Sequence, residues 1–209
     1  MTAIIDYGVG NLFSLLSSLE FIGERAVVTR GAAEVLAADR VILPGVGAFG
    51  DAARKLSESG LRDTVLETAA AGKPLLGICL GMQLLFDKSF EYGEHRGLGL
   101  IPGAVVPIEP VIPRGYKIPH IGWNALKFPQ NREKISIFKY TAEGDCVYFV
   151  HSFYGAALSG GLPEDTAATA EYGAELTAAV ARGNVYGTQF HPEKSGNAGL
   201  NILRAFCEL

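Results

Sequence analysis

A cysteine set between two glycines, Gly77-Ile78-Cys79-Leu80-Gly81, follows a short apolar run and leads into a helical pattern. Strand, tight turn and helix is the setting of a nucleophile elbow, here with sulfur where a serine hydroxyl is more familiar. The sharp turn holds the nucleophile in a strained backbone, and flanking glycines relieve the crowding around it. The N-terminal N–H groups of the following helix face the sulfur and favour its thiolate. Taken alone, Cys79 reads equally as a buried structural thiol, because free cysteine is among the most buried residue types. A second segment, Gly187-Thr188-Gln189-Phe190-His191-Pro192-Glu193-Lys194, changes that balance. In an extended segment His191 and Glu193 project from the same face, and Pro192 keeps the residue before it extended. Glu193 then accepts a hydrogen bond from one ring nitrogen of His191. The other nitrogen is left free to take a thiol proton, which is the nucleophile, base and orienter arrangement of acyl transfer. By itself the His-Pro-Glu run is also readable as a plain surface turn.

Acyl transfer also needs donors for a developing oxyanion. Leu43-Pro44-Gly45-Val46-Gly47-Ala48-Phe49-Gly50 follows an expected parallel strand and precedes a helix. It therefore lies at the carboxyl edge of the sheet, where ligands bind in such folds. The expected donors are the N–H of Leu80, next to the nucleophile, and an N–H of the Gly45-Val46-Gly47 stretch. Gly45 permits peptide rotation, so this second donor can be switched. A phosphate cradle is disfavoured, since the Walker lysine is missing and the glycine spacing is wrong for a dinucleotide fingerprint.

The elements that must position these groups alternate in the first half of the chain. Residues 3–6, 25–29, 40–43 and 74–78 read as buried strands. Residues 32–38, 48–57, 61–71 and 80–87 read as helices, and Leu12, Leu15, Leu16, Leu19 and Ile22 form a helical stripe ending at Gly23. Asp6 reads as a cap for that first helix. Residues 88–145 hold most of the prolines, with short strands near 104–107 and 125–128. Strands at 146–150, 167–171, 177–180 and 185–190 follow at hairpin spacing, and a helix at 197–208 closes the chain. The expectation is one α/β domain over residues 1–209, in three layers. Its mixed, mostly parallel sheet carries helices on both faces, with antiparallel strands in the C-terminal half.

Composition agrees with an enzyme of this kind. The chain has 209 residues, 48 % of them hydrophobic and 19 % charged, enough for a substantial core. A formal net charge of −4 without blocks of like charge argues against nucleic acid and anionic membrane as partners. Three scattered cysteines do not form a disulfide framework. No signal-peptide pattern or membrane-length apolar run is present. The expected location is the cytoplasm, where a reactive thiol survives. The four histidines, His95, His120, His151 and His191, lack metal-ligand spacing, so no metal is expected.

Taken together and in this order, the Pro44-Gly45-Val46-Gly47, Gly77-Ile78-Cys79-Leu80-Gly81-Met82-Gln83 and His191-Pro192-Glu193 segments resemble the class I (triad) glutamine amidotransferases. The likeness spans essentially the whole chain. It implies Cys79 as nucleophile, His191 as general base and acid, and Glu193 as orienter. Val46 and Leu80 would form the oxyanion hole, and Gly47, Gln83, His151 and Ser152 would surround L-glutamine. No cofactor is implied. Further runs are Ile5-Asp6-Tyr7-Gly8-Val9-Gly10-Asn11-Leu12, Pro119-His120-Ile121-Gly122-Trp123-Asn124 and Val150-His151-Ser152-Phe153-Tyr154. They are similar to the family's glutaminase subunits that feed ammonia to a (β/α)₈-barrel cyclase in histidine biosynthesis. That likeness implies a heterodimer, a γ-glutamyl thioester and channelled ammonia. It also implies low glutaminase activity until the partner holds its own substrate. Asn11, Trp123 and Lys194 are the expected partner-facing residues, with a core aromatic as the competing reading of Trp123. His120 reads as a structural histidine. The alternatives are a glutaminase subunit of another synthase and a stand-alone cysteine hydrolase. Residues 89–95 and 158–165 match no motif.

Overall fold

The computed structural model describes residues 1–130 and 132–209. Apolar runs form β1 (Thr2–Ile5), β2 (Ala26–Thr29), β3 (Arg40–Gly45) and β4 (Leu75–Cys79). Between and after them come α1 (Leu12–Phe21), α2 (Ala32–Ala37), α3 (Phe49–Glu58), α4 (Leu61–Ala70) and α5 (Leu80–Leu84). The second half holds β5 (Phe86–Ser89), β6 (His95–Arg96), β7 (Ile101–Pro107), β8 (His120–Lys127), β9 (Cys146–His151) and β10 (Phe153–Ala156). It ends with β11 (Thr166–Glu171), β12 (Glu175–Arg182), β13 (Val185–Thr188) and α6 (Gly196–Cys207).

Among the described residues nine strands make the main sheet, in the order β2-β1-β3-β4-β13-β12-β11-β8-β9. Pairing is parallel from β2 through β13 and antiparallel from β13 to β9, so the sheet is mixed as expected, with a larger antiparallel share than strand spacing suggested. Strand alternation splits the core. Ile5, Val41, Leu43 and Leu75 face α2, α3 and α4 on one side. Ile4, Ile42, Leu76 and Ile78 face Leu15 and Leu19 of α1 and Ile202, Leu203 and Phe206 of α6 on the other. Each such side chain, once buried, contributes roughly 1.5–3 kcal/mol. The layers are therefore helix, sheet, helix.

Two expectations need correction. The helix after Cys79 ends at Leu84, not at residue 87, because Phe86 enters a second, four-stranded sheet ordered β10-β7-β5-β6. Phe86 is fully buried there, and its ring fills the space that a side chain at Gly155 would need. Long-range pairing with Ile101 overrides the local helical pattern. Asp6 does not cap α1, which starts six residues on. Its carboxylate accepts the Gly8 N–H and the Arg30 guanidinium instead. Burial opposes the charge, but those contacts prevail and hold the carboxyl below its ordinary range.

Candidate active site

The elbow is built by close approach of backbones. Cys79 ends β4 at φ 54° and ψ −110°, a left-handed conformation uncommon for a residue with a side chain. Gly81 lies so close to β3 that a Cβ there would sit 1.9 Å from the Leu43 carbonyl oxygen. At Gly77 a Cβ would meet the Gly81 carbonyl oxygen at 2.6 Å. The glycines on either side of the cysteine are therefore steric necessities of the turn.

Sheet register brings the base to the sulfur. In the parallel pair of β4 and β13, Ile78 lies opposite Thr188, so the chain leaving β13 passes over Cys79. Backbone and side-chain bonds then set the imidazole. The His191 N–H donates to the Tyr148 carbonyl at 3.0 Å, and the Ser195 hydroxyl donates to the His191 carbonyl at 2.6 Å. His191 Nδ1–H donates to Glu193 Oε1 at 2.9 Å, with both side chains almost fully buried. The expected extended geometry is wrong in detail. Pro192–Lys194 is a 3₁₀ turn, and proline's fixed φ suits its first position. That turn, not strand alternation, swings Glu193 back onto the ring.

The His191 ring and the Cys79 thiol line the same cavity. Burial works against the imidazolium, yet the hydrogen bonds and negative charges of Cys79 and Glu193 outweigh it and raise its pKa to about 10. A histidine raised above its unfolded value of about 6.5 adds stability that is complete below that pH and fades as pH climbs through about 10. Glu193→Gln is therefore expected to be less stable than the parent at pH 6–7. The deficit should close near pH 10, as measured by urea unfolding at each pH. A deficit that grows with pH would contradict the assignment.

Beside the triad is a cavity of about 270 Å³, lined by Cys79, His191, Leu80, Val46 and Gly47. Ligand pockets for drug-sized molecules run from about 300 to 1,000 Å³, so this one suits an amino acid. Gln83, His151, Ser152 and Phe153 also line it. Gln83 Nε2 donates to Phe153 O at 3.1 Å and to Gln189 Oε1 at 3.0 Å, and Gln189 Nε2 points to Cys79 Sγ at 3.8 Å. His151 borders the cavity with both ring nitrogens engaged, by Phe153 O at 2.8 Å and by His120 at 3.0 Å. Burial above all lowers its pKa to about 3, so it is neutral. Its side chain is therefore part of the cavity wall, with neither ring nitrogen free. A larger cavity of about 460 Å³ lies between α3, α4 and β6, but no triad residue lines it. Among the described residues, no three His, Cys, Asp or Glu side chains gather as a metal site. No helix there is long and apolar enough to cross a membrane.

Three participants were not singled out from the sequence. Glu91, from the uninterpreted segment 89–95, lines the cavity with a carboxylate. Tyr7 is buried and donates to the Pro44 carbonyl at 2.9 Å, and burial, aided by the charge of Cys79, pushes its hydroxyl well above the ordinary tyrosine value. Gln189 is fully buried. Tyr7 and Gln189 stand inside motif runs and Glu91 in none, but only the tertiary fold gives the three their contacts.

The expected partner-facing residues lie on the surface. Trp123 on β8 is 53 % exposed, which removes the core reading, and stands edge-on to Tyr148 at 5.9 Å. Lys194 lies 5.8 Å from the centre of the same Tyr148 ring. Asn11 is half-buried at the start of α1 and makes no capping bond. His120 is buried, bonded to Asn124 and stacked on Tyr172, as a structural histidine would be.

Residues 3–208 match the family described as Glutamine amidotransferase class-I. The chain is 47 % identical over 210 residues to "Imidazole glycerol phosphate synthase subunit HisH" of Wolinella succinogenes, covering 100 % of both chains. A protein of the same name from Methanothermobacter thermautotrophicus is 46 % identical, over 100 % of this chain and 98 % of that one. Among solved structures, "Crystal structure of glutamine amidotransferase" aligns with TM-score 0.73 at 18 % identity, covering 99 % of each chain. "Structure of PurLQS from Thermotoga maritima" aligns with TM-score 0.71 at 20 % identity, covering 99 % of this chain and 97 % of that one. At such identities these two speak for the fold alone.

Proposed function

The chain belongs to the class-I glutamine amidotransferase family, and from that premise we propose that it is the glutaminase subunit of an imidazole glycerol phosphate synthase. The observation that carries the reading is the buried set of Cys79, His191 and Glu193 at an amino-acid-sized cavity. L-Glutamine enters with its γ-carboxamide at the sulfur. His191 holds the thiol proton, and the Cys79 thiolate attacks the carboxamide carbon. The Leu80 and Val46 N–H groups take the oxyanion; losing one such donor typically slows the step about 10²–10³-fold. Collapse breaks the C–N bond, His191 gives its proton to the leaving nitrogen, and ammonia departs. Water then attacks the γ-glutamyl thioester while His191 accepts a proton, and glutamate leaves with the thiol restored.

In water at neutral pH ammonia is mostly ammonium, which is not a nucleophile. The product is therefore passed directly to a (β/α)₈-barrel cyclase subunit, in the cytoplasm, within a heterodimer. Trp123, Lys194 and Asn11 are placed at that contact. Exposed Ile121 lies two residues from Trp123 on the same strand face, adding apolar area. Trp123→Ala is expected to weaken assembly by at least tenfold, or to uncouple glutamine cleavage from cyclisation, with a melting temperature within about 2 °C of the parent. Affinity and coupling both unchanged would remove Trp123 from the interface.

The test of the function is direct. The purified chain is mixed with glutamine, with and without the cyclase and its substrate, and glutamate is measured. Cleavage that rises with the cyclase supports the reading. Cleavage without regard to it points to a stand-alone cysteine hydrolase. Capture of a different synthase subunit from the cell points to another pathway.

A further inference from the structure

Residues 45–48, which carry the Val46 N–H, form a strap between two fixed points. Upstream, Tyr7 holds the Pro44 carbonyl, and Gly45 is still in register with Cys79 as the last residue of β3. Downstream, Glu91 Oε2 accepts the Phe49 N–H at 2.6 Å, at the first residue of α3. Between these points the strap is loose. Val46 is 41 % exposed, and Gly47 stands at φ +94° with open space around it.

The buried Phe49 ring, 6.5 Å from that of His95, also anchors the downstream end, but it leaves the backbone N–H groups there without a partner of their own. The opening N–H groups of a helix have no partners within it. Ala48, the residue before α3, offers no side-chain cap. Asp51 in the first turn is drawn away by Arg54 and Lys55. A carboxylate is the favoured partner for a helix start, and here it arrives from 42 residues away. The segment that carries Glu91 is itself braced. The Glu91 N–H donates to the buried Ser89 hydroxyl at 3.1 Å, and Tyr92 stands edge-on to Phe153 at 6.4 Å.

We propose that Glu91 is a positioning residue for the oxyanion segment: by holding the Phe49 N–H it pins the downstream end of residues 45–48 and so sets where the Val46 N–H points. The catalytic part of this rests on the glutaminase reading; the mechanical part does not.

Two variants test it, Glu91→Ala and Glu91→Gln. In the full chain without partner, hydrogen exchange of segments spanning 46–52 should quicken about tenfold in Glu91→Ala. Exchange in β1 and α6 should stay as in the parent, which shows that the variant is folded. Glu91→Gln keeps a carbonyl oxygen that accepts the Phe49 N–H, so it should restore most of the protection. In the synthase reconstituted with its cyclase, glutaminase kcat should fall about 10- to 100-fold in Glu91→Ala and recover to within severalfold in Glu91→Gln, whether or not KM rises. Unchanged exchange at 46–52 in Glu91→Ala overturns the proposal. So does a rise in KM alone in both variants, the signature of a carboxylate that only meets the substrate's α-ammonium. If the unsubstituted protein cleaves no glutamine, the functional reading fails separately, and the exchange measurement still decides the Glu91 contact.

Discussion

Cys79→Ala is expected to cut glutaminase turnover at least about 10⁴-fold, while ammonia added to the solution still supports the partner's reaction. The size of the effect follows from the position of the sulfur. The Cys79 sulfur and the His191 imidazole line the cavity together, and under this reading the thiol proton that His191 takes is the one it gives to the leaving nitrogen. Water in place of the thiol would have to attack an amide unaided by a covalent intermediate. The split between glutamine and ammonia is the sharper part. Cleavage and cyclisation belong to separate subunits under this reading, so removing the sulfur leaves the second reaction intact. Glutamate release with glutamine, and cyclised product with ammonium salts at raised pH, are the two readouts. Loss of both activities would contradict the division of labour. Retention of glutaminase within tenfold of the parent would remove Cys79 from the nucleophile's role.

The same residue carries a conformational cost. A side chain at φ 54° and ψ −110° is strained by about 1–3 kcal/mol. Alanine keeps that strain and glycine relieves it. Cys79→Gly should therefore melt above Cys79→Ala despite glycine's larger loss of entropy on folding, and both should be inactive. The ordering tests whether the elbow is held against its own preference by β3 and α5, as the contact of Gly81 with Leu43 indicates.

How much of this was readable in the chain depends on whether a constraint is local. The elbow was, because only glycine fits at Gly77 and Gly81 and the apolar run before them is unbroken. His191 and Glu193 meet across a 3₁₀ turn and not along one face of a strand, and a spacing of two allows either. Sheet register explains why they reach Cys79, and register between distant strands leaves no mark within a window. The small sheet escaped for the same reason. Phe86 looks helical beside Leu84 and Leu85, and only its pairing with Ile101 makes it a strand. Glu91, Tyr7 and Gln189 are polar residues whose partners lie 37 to 110 positions away, and even for Tyr7 and Gln189, which stand in motif runs, no local pattern announces those partners.

Gly81→Ala should be the most damaging of the substitutions in the elbow. The new Cβ would fall 1.9 Å from the Leu43 carbonyl oxygen and 2.9 Å from its carbon. Neither neighbour is a flexible side-chain end. Leu43 is in the middle of β3, paired with Gly77 of β4, so retreat on one side breaks the sheet and on the other moves the elbow. Close-packed interiors do not absorb such a shift. The expected loss is about 3–5 kcal/mol, in the range reserved for severe core defects. For a protein of this size that corresponds to a fall in melting temperature of about 6–20 °C. Gly47→Ala separates this cause from glycine's backbone freedom. A Cβ at Gly47 meets nothing within 4 Å, so only its φ of +94° resists, and the expected loss is about 1–2 kcal/mol. Calorimetry of the two variants beside the parent decides the matter. Equal losses would mean that strain in the backbone, and not the approach of β3 to α5, dictates glycine at the turn.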